Sequence, residues 1–185
     1  DEGDSREVTR FLRAVDVRIG GFRVERAPEW RGQRVFVRHE VGGKAYELRL
    51  SEESAGTQKL MGLAAYLMTA LERGGTVVVD ELDAKLHPKL LRYVILLFKN
   101  PEVNKSGAQL IFSSQDVSTM RNDVFRRDEI WFAARGEGEA SQLWSLADIH
   151  EANGNLVSKN AAFDKQYLSG RYGADPYLTR IEEWD

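Results

Sequence analysis

The hydrophobic pattern along this chain changes period several times, and each change marks an element. Between residues 5 and 16, Val8, Phe11, Leu12 and Val15 recur at helical spacing. From Phe22 the period shortens. FRVER, RVFVRHEV and AYELRL read as strands, separated by APEWRGQ and GGK, which carry turn and loop chemistry. A small antiparallel layer with a loose first connection is expected. Ser54 to Glu72 returns to helix, with Leu60, Leu63, Ala64, Leu67, Met68 and Leu71 on one stripe and Gly74-Gly75 as its stop. Thr76 to Asp80 is a strand whose continuous Val77-Val78-Val79 run fits burial on both faces.

A second helix opens at Pro88, a favourable first-turn residue, and runs to Phe98. The loop PEVNKSG, the strand AQLIFSS and a short helix near Val117 to Asn122 follow. EIWFAAR, GEGEA and SQLWSL read as a hairpin. Residues 148–164 are polar and expected to be poorly ordered, and the compact, aromatic-rich YLSGRYGADPYL closes the pattern. Strand, helix, strand and helix in the middle predict an α/β core with a mostly parallel sheet.

Composition narrows the class. The 185 residues are 42% hydrophobic and 30% charged, which fits a globular protein with a core rather than wholesale disorder. A formal net charge of -3 argues against a global field for nucleic acid. With no cysteine, neither a disulfide framework nor a thiolate zinc site is available. That lack of cysteine suits the cytoplasm, the expected setting, and no apolar run is long enough to span a bilayer, so no membrane partner is expected. The opening DEGDSREV is unlike a signal peptide and lacks an initiator methionine, from which a fragment or a processed chain is expected.

Three stretches carry candidate chemistry. In TVVVDELDAKLHP, residues 76–88, an apolar strand delivers Asp80 and Glu81 to its carboxyl end, where open α/β sheets place ligands. Asp80 there suits a magnesium ion, and Glu81 suits orienting or deprotonating a water. A solvated strand end is an equally good reading of that stretch alone. In SEESAGTQKL, residues 51–60, Ser54 to Thr57 precede an amphipathic helix, so backbone N–H groups and the positive helix end can face an anion. An ordinary N-cap explains the same residues without a ligand. In QLIFSSQD, residues 109–116, a second strand ends in Ser113, Ser114, Gln115 and Asp116, which alone reads as a plain strand terminus.

In combination and order these stretches resemble the second half of an ABC-type ATPase head. ESAGT is similar to its signature motif, VVVDE to Walker B, LDAKLHP to a D-loop in the Leu-His-Pro form of the overcoming-lysogenisation-defect branch, and FSSQD to the switch-histidine loop. RRDEIWF, the hairpin and YLSGRYGADPYL resemble the C-terminal part of bacterial AAA-family ATP-binding proteins, many of them in anti-phage defence.

The resemblance implies ATP and Mg2+ as cofactors. It makes Asp80 the magnesium-supporting acid and Glu81 the catalytic carboxylate. Ser54 and Gly56 would bind the γ-phosphate of a nucleotide held by a second subunit, with His87 near it at the interface. Gln115 stands where the family usually has histidine; it can donate a hydrogen bond but cannot take a proton.

No G-x-x-x-x-G-K-[ST] occurs, and Val41-Gly42-Gly43-Lys44-Ala45 is better read as a hairpin turn. The phosphate cradle is therefore expected from a missing N-terminal portion, and this chain alone is expected to be inactive.

The expected organisation is 1–53, a helix plus antiparallel layer; 54–147, the ATPase core with its hairpin; and 148–185, a polar tail with a compact end. Expected partners are the missing ATPase portion, a second head in a homo-oligomer, and an effector protein. Nucleic acid has only weak support: Arg126-Arg127 fit a solvated strand entry or an ion pair better.

A non-catalytic partner-binding or oligomerisation module is the competing reading. A nuclease would need a DxD pair with a glutamate, or a histidine cluster, and neither occurs. His39 is expected on a solvated strand face and His150 in a polar loop. Arg171 and Tyr172 are expected in a structural or partner-binding role, and Trp30 and Trp184 as exposed aromatics.

Overall fold

The computed structural model describes residues 2–15, 19–26, 33–135 and 140–174, with the side chains of residues 2–5 excepted. The chain divides into two compact units, residues 1–115 and 116–185. The first unit begins with helix α1, Glu2–Val15, then strands β1, Ile19–Arg26, β2, Gln33–Val41, and β3, Lys44–Arg49. These form an antiparallel sheet in the order β1-β2-β3, joined between β2 and β3 by Gly42-Gly43. Both glycines have positive φ, which suits a tight hairpin. The expected loose connection of residues 27–32, and Trp30 within it, lies outside the described residues.

Helix α1 packs on β1 and on α2, Ala55–Arg73, burying Val8, Phe11 and Leu12 on one side and Leu60, Ala64 and Leu67 on the other. The helical spacing of these residues is what lets each helix present a single apolar stripe. Gly74 ends α2 with φ 77, and a Cβ there would sit 2.7 Å from the Ser106 carbonyl oxygen. Glycine is thus demanded twice, by conformation and by space.

His39 departs from expectation. It has the same strand parity as Val35 and Val37, and Val37 is fully buried, so His39 faces inward with them. Its Nε2 lies 2.5 Å from Glu53 Oε1.

Strand β4, Thr76–Val79, pairs in parallel with β5, Gln109–Phe112, with Val79 opposite Phe112. Helix α3, Pro88–Lys99, makes the crossover between them, burying Leu91, Val94 and Ile95. Val77 packs against the buried cluster of Ala70, Leu71 and Ala108, as does Phe98. The opposite face is open. Val78 is 72% exposed and its register partner Ile111 56% exposed, so the expected burial of β4 on both faces is not found. The valine run satisfies strand propensity, but among the described residues side chains cover only one of its two faces.

In the second unit, β6, Trp131–Arg135, and β7, Ser141–Ser145, form the expected hairpin, with the turn residues 136–139 outside the described set. The expected short helix near 117–122 is a single 3-10 turn, Val117–Thr119. Residues 148–164 are not the loosely ordered tail expected. Glu151 N–H donates to Asn155 O at 2.7 Å, Val157 N–H donates to Ile149 O at 3.1 Å, and His150 bridges Leu156.

The anchors of this stretch are Val157 and Phe163, both fully buried with Ile130, Phe132, Leu146 and Tyr172. The larger apolar residues of this stretch, Ile149, Leu156, Val157 and Phe163, follow no helical or strand period, yet Val157 and Phe163 enter the core of this unit. Helix α4, Phe163–Leu168, follows. Residues 175–185, including Trp184 and the end of YLSGRYGADPYL, lie outside the described residues.

Arg126 pairs with Asp128 and Glu129, the ion-pair reading of the basic doublet. The Tyr172 hydroxyl donates to Gln166 Oε1 at 2.7 Å, and its backbone carbonyl accepts from Trp144 Nε1 at 3.1 Å, a structural role. Burial, with the Glu151 carboxylate second, pushes the Tyr172 phenol from 10.0 up to about 12. The neutral phenol is favoured in the folded state, so its contribution is full below pH ~10 and lost as pH rises towards ~12. Urea titrations across that window should show stability falling in the wild type, and falling less in Tyr172→Phe.

Candidate functional site

The two parallel strands end side by side, and their last residues are tied together. Ser113 N–H donates to Val79 O at 3.1 Å and Leu82 N–H donates to Ser113 O at 3.0 Å, carrying the ladder one step past the strands. This places the Ser113 hydroxyl between the two acids. It donates to Asp80 Oδ1 and accepts from Glu81 N–H at 2.7 Å. One hydroxyl, with one donor and free lone pairs, orients both residues.

Glu81 sits at φ 49, a left-handed conformation that costs a non-glycine residue about 1–3 kcal/mol and persists only where its surroundings impose it. Here they do. The Glu81 carbonyl accepts from Lys59 Nζ of α2 and from Ala84 N–H at 3.0 Å, while Ser113 holds its N–H. The peptide is clamped on both sides, and the exposed carboxylates of Asp80 and Glu81 project from a fixed backbone.

The turn after the acids is pinned by Leu82 and Leu86, both buried, and by Leu86 N–H donating to Asp83 O at 2.9 Å. Lys85 is its second left-handed residue, at φ 65. His87 then caps α3: its Nδ1 accepts from Lys89 N–H at 3.1 Å, so a neutral ring carries its proton on the exposed Nε2.

Ser54 caps α2 in the same manner. Its hydroxyl oxygen accepts from Thr57 N–H at 3.1 Å and lies 2.8 Å from Thr57 Oγ1. Gly56 approaches the turn so closely that a Cβ there would sit 2.9 Å from the Lys85 carbonyl oxygen. That close approach requires a glycine. The structure therefore brings the Ser54–Gly56 helix start against the Asp80–Lys85 turn, through Gly56 to Lys85 and Lys59 to Glu81.

Gln115 is exposed, and its N–H donates to Asp83 Oδ2 at 3.3 Å. The other oxygen of Asp83, Oδ1, is buried without a hydrogen-bond partner. Lys59 and Asp83 escape the sequence as site contributors, and Ser113 enters it only as part of a polar strand end. Ser113 stands out only once the register sets it beside Asp80. Lys59 stands five residues past Ser54, with no motif to mark its reach to Glu81.

A magnesium ion can be tested against this donor set. Among the described residues no group of three His, Cys, Asp or Glu side chains could hold a metal by itself. A single exposed carboxylate, one oxygen of which is oriented by Ser113, is the donor set of an ion bound mainly by phosphate and water. Asp80 fits that role and does not fit a self-contained metal centre.

Comparison with solved structures gives the fold. A structure from work on ATP-driven dimerisation and DNA-stimulated activation of SMC ATPases matches with TM-score 0.55 and 16% identity, over 78% of this chain and 83% of that one. An Smc head domain with an extended coiled coil, bound to the C-terminal domain of ScpA and derived from Pyrococcus furiosus, matches with TM-score 0.51 and 20% identity. There the alignment spans 78% of this chain but only 34% of the other. At these identities the likeness establishes a mixed α/β fold of the SMC ATPase-head type.

No curated protein matches the sequence. No helix among the described residues is long and apolar enough to cross a membrane. A family model matches residues 2–121, well over half the chain, and the chain belongs to that family, described as "AAA domain, putative AbiEii toxin, Type IV TA system".

Proposed function

We propose that this chain supplies one wall of an ATP site shared between two ATPase heads, and that the protein works as an ATP-gated dimerising switch. The observation that carries this reading is the clamped Asp80-Glu81 pair, fixed by Ser113 and Lys59 beside a helix start at Ser54. Asp80 supports magnesium through its exposed carboxylate. The ion, when bound, would offset triphosphate charge. Glu81 orients the attacking water and accepts its proton. Ser54 and the first N–H groups of α2 face the γ-phosphate of a nucleotide on the opposing head, where the helix dipole favours negative charge. His87 offers Nε2–H near the same interface, and Gln115 donates to phosphate or water without taking a proton.

No G-x-x-x-x-G-K-[ST] occurs in these 185 residues, so the cradle for the triphosphate comes from another polypeptide segment and this chain alone does not turn over ATP. The bare Val78–Ile111 face supports that view, because parallel strands are normally covered on both faces. In this reading the missing segment covers it. In this reading the signal passes to an effector acting in anti-phage defence, with the cytoplasm as its setting.

The test is ATP hydrolysis by full-length protein as magnesium is titrated. Asp80→Ala should raise the magnesium requirement and depress turnover at all concentrations. Unchanged magnesium dependence would remove Asp80 from the site. A non-catalytic docking module, the second reading, draws on the same open face. It is favoured if the full-length protein binds its partner equally with and without ATP.

A further inference from the structure

Glu53 stands one residue ahead of Ser54 and is fixed at three points. Its N–H donates to Leu50 O at 3.2 Å, closing a 3-10 turn. Its carbonyl accepts from Gln58 Nε2 at 2.8 Å, in the first turns of α2. Its carboxylate, on a side chain only 8% exposed, meets His39 Nε2 at 2.5 Å, and the His39 side chain is 15% exposed.

His39 belongs to the central strand of the β1-β2-β3 sheet, inward beside Val37, so it is held by a packed surface rather than by a loop. An enclosed pair of this kind adds little net stability compared with apolar side chains of the same volume. Its geometric effect is larger. It joins the sheet to the residue that leads into the cap of α2. Ser54 follows directly, with its hydroxyl already committed to Thr57 N–H. The angle at which the helix start is presented depends on where Glu53 is held.

We propose that His39, acting through Glu53, is a positioning residue for the anion-facing start of α2; this rests on the reading of Ser54 and Gly56 given above. His39 touches no nucleotide in that reading. Its removal should therefore weaken association of two heads across the γ-phosphate while leaving each head's own hold on ATP unchanged. Loss of general stability would weaken both together.

The experiment uses full-length protein, a non-hydrolysable ATP analogue and magnesium, with sedimentation to measure association and a fluorescent analogue to measure nucleotide binding per head. His39→Ala should lower analogue-dependent association about tenfold, the effect of one hydrogen bond to a charged group, with nucleotide binding unchanged. His39→Gln, which keeps a donor, should stay within about twofold of wild type, well inside the effect of losing that bond. If His39→Ala does not fold, Glu53→Ala removes the same contact from the other side and should show the same tenfold loss.

Association at the wild-type level in these alanine variants overturns the positioning role, as does failure of His39→Gln alongside His39→Ala. A wild type that binds the analogue but does not associate overturns the shared-site reading instead, and the inference with it.

Discussion

Glu81→Gln in the full-length protein is expected to lower ATP turnover about 10²–10⁴-fold, the usual contribution of a positioned general base. Glutamine keeps the shape of the side chain and its reach to a water, but it cannot accept the proton. The backbone that aims it should be unaffected, because Ser113 and Lys59 hold the peptide N–H and carbonyl rather than the carboxylate. ATP binding and ATP-dependent association should therefore persist while hydrolysis stops, trapping the associated state. Steady-state phosphate release and sedimentation in ATP measure the two separately. Turnover within a few-fold of wild type would remove Glu81 from the chemistry.

Phe163→Ala is the substitution expected to destabilise residues 116–174 most. Phe163 is fully buried in a cluster with Ile130, Phe132, Leu146, Val157 and Tyr172. Around it Phe132 stacks on Tyr167 at 5.7 Å between ring centroids, and Tyr172 approaches Phe132 at 5.3 Å. Truncating a buried phenylalanine removes transfer free energy and leaves a cavity, together about 3–5 kcal/mol. Unfolding should be followed by tryptophan fluorescence in urea, since Trp144 borders the cluster. A midpoint shift corresponding to less than about 1 kcal/mol would mean that the cluster repacks around the gap, at the low end of large-to-small effects.

Much of the fold was legible because its elements repeat a period. The stripes of α1 and α2, the proline start of α3, and the valine run ending in two acids each combine pattern with a start or stop signal. The hairpin of β6 and β7 was legible for the same reason. What was not legible depends on contacts between distant residues. Ser113 acquires meaning only when the register sets it beside Asp80, 33 positions earlier. Lys59 reaches Glu81 across 22 positions.

His39 was open to a better reading: the alternation that suggested a solvated face in fact gives it the parity of Val35 and Val37, and Glu53 supplies its partner. Val157 and Phe163 were hidden because the apolar residues around them follow no helical or strand period. The open face of β4 was hidden for another reason. Strand propensity shows that valines prefer a pleated surface, not whether a second layer covers them.

The claim that Ser54 and Glu81 serve one site across two heads is tested most directly by ATP-dependent association of full-length Glu81→Gln with and without Ser54→Arg. Ser54→Arg puts a long side chain at the helix start, on a residue that is exposed in the single chain. The account predicts that Glu81→Gln associates in ATP, and that adding Ser54→Arg abolishes association while each head still binds ATP as before. Undiminished association of the double variant, or a Glu81→Gln protein that binds ATP and stays monomeric, would contradict it.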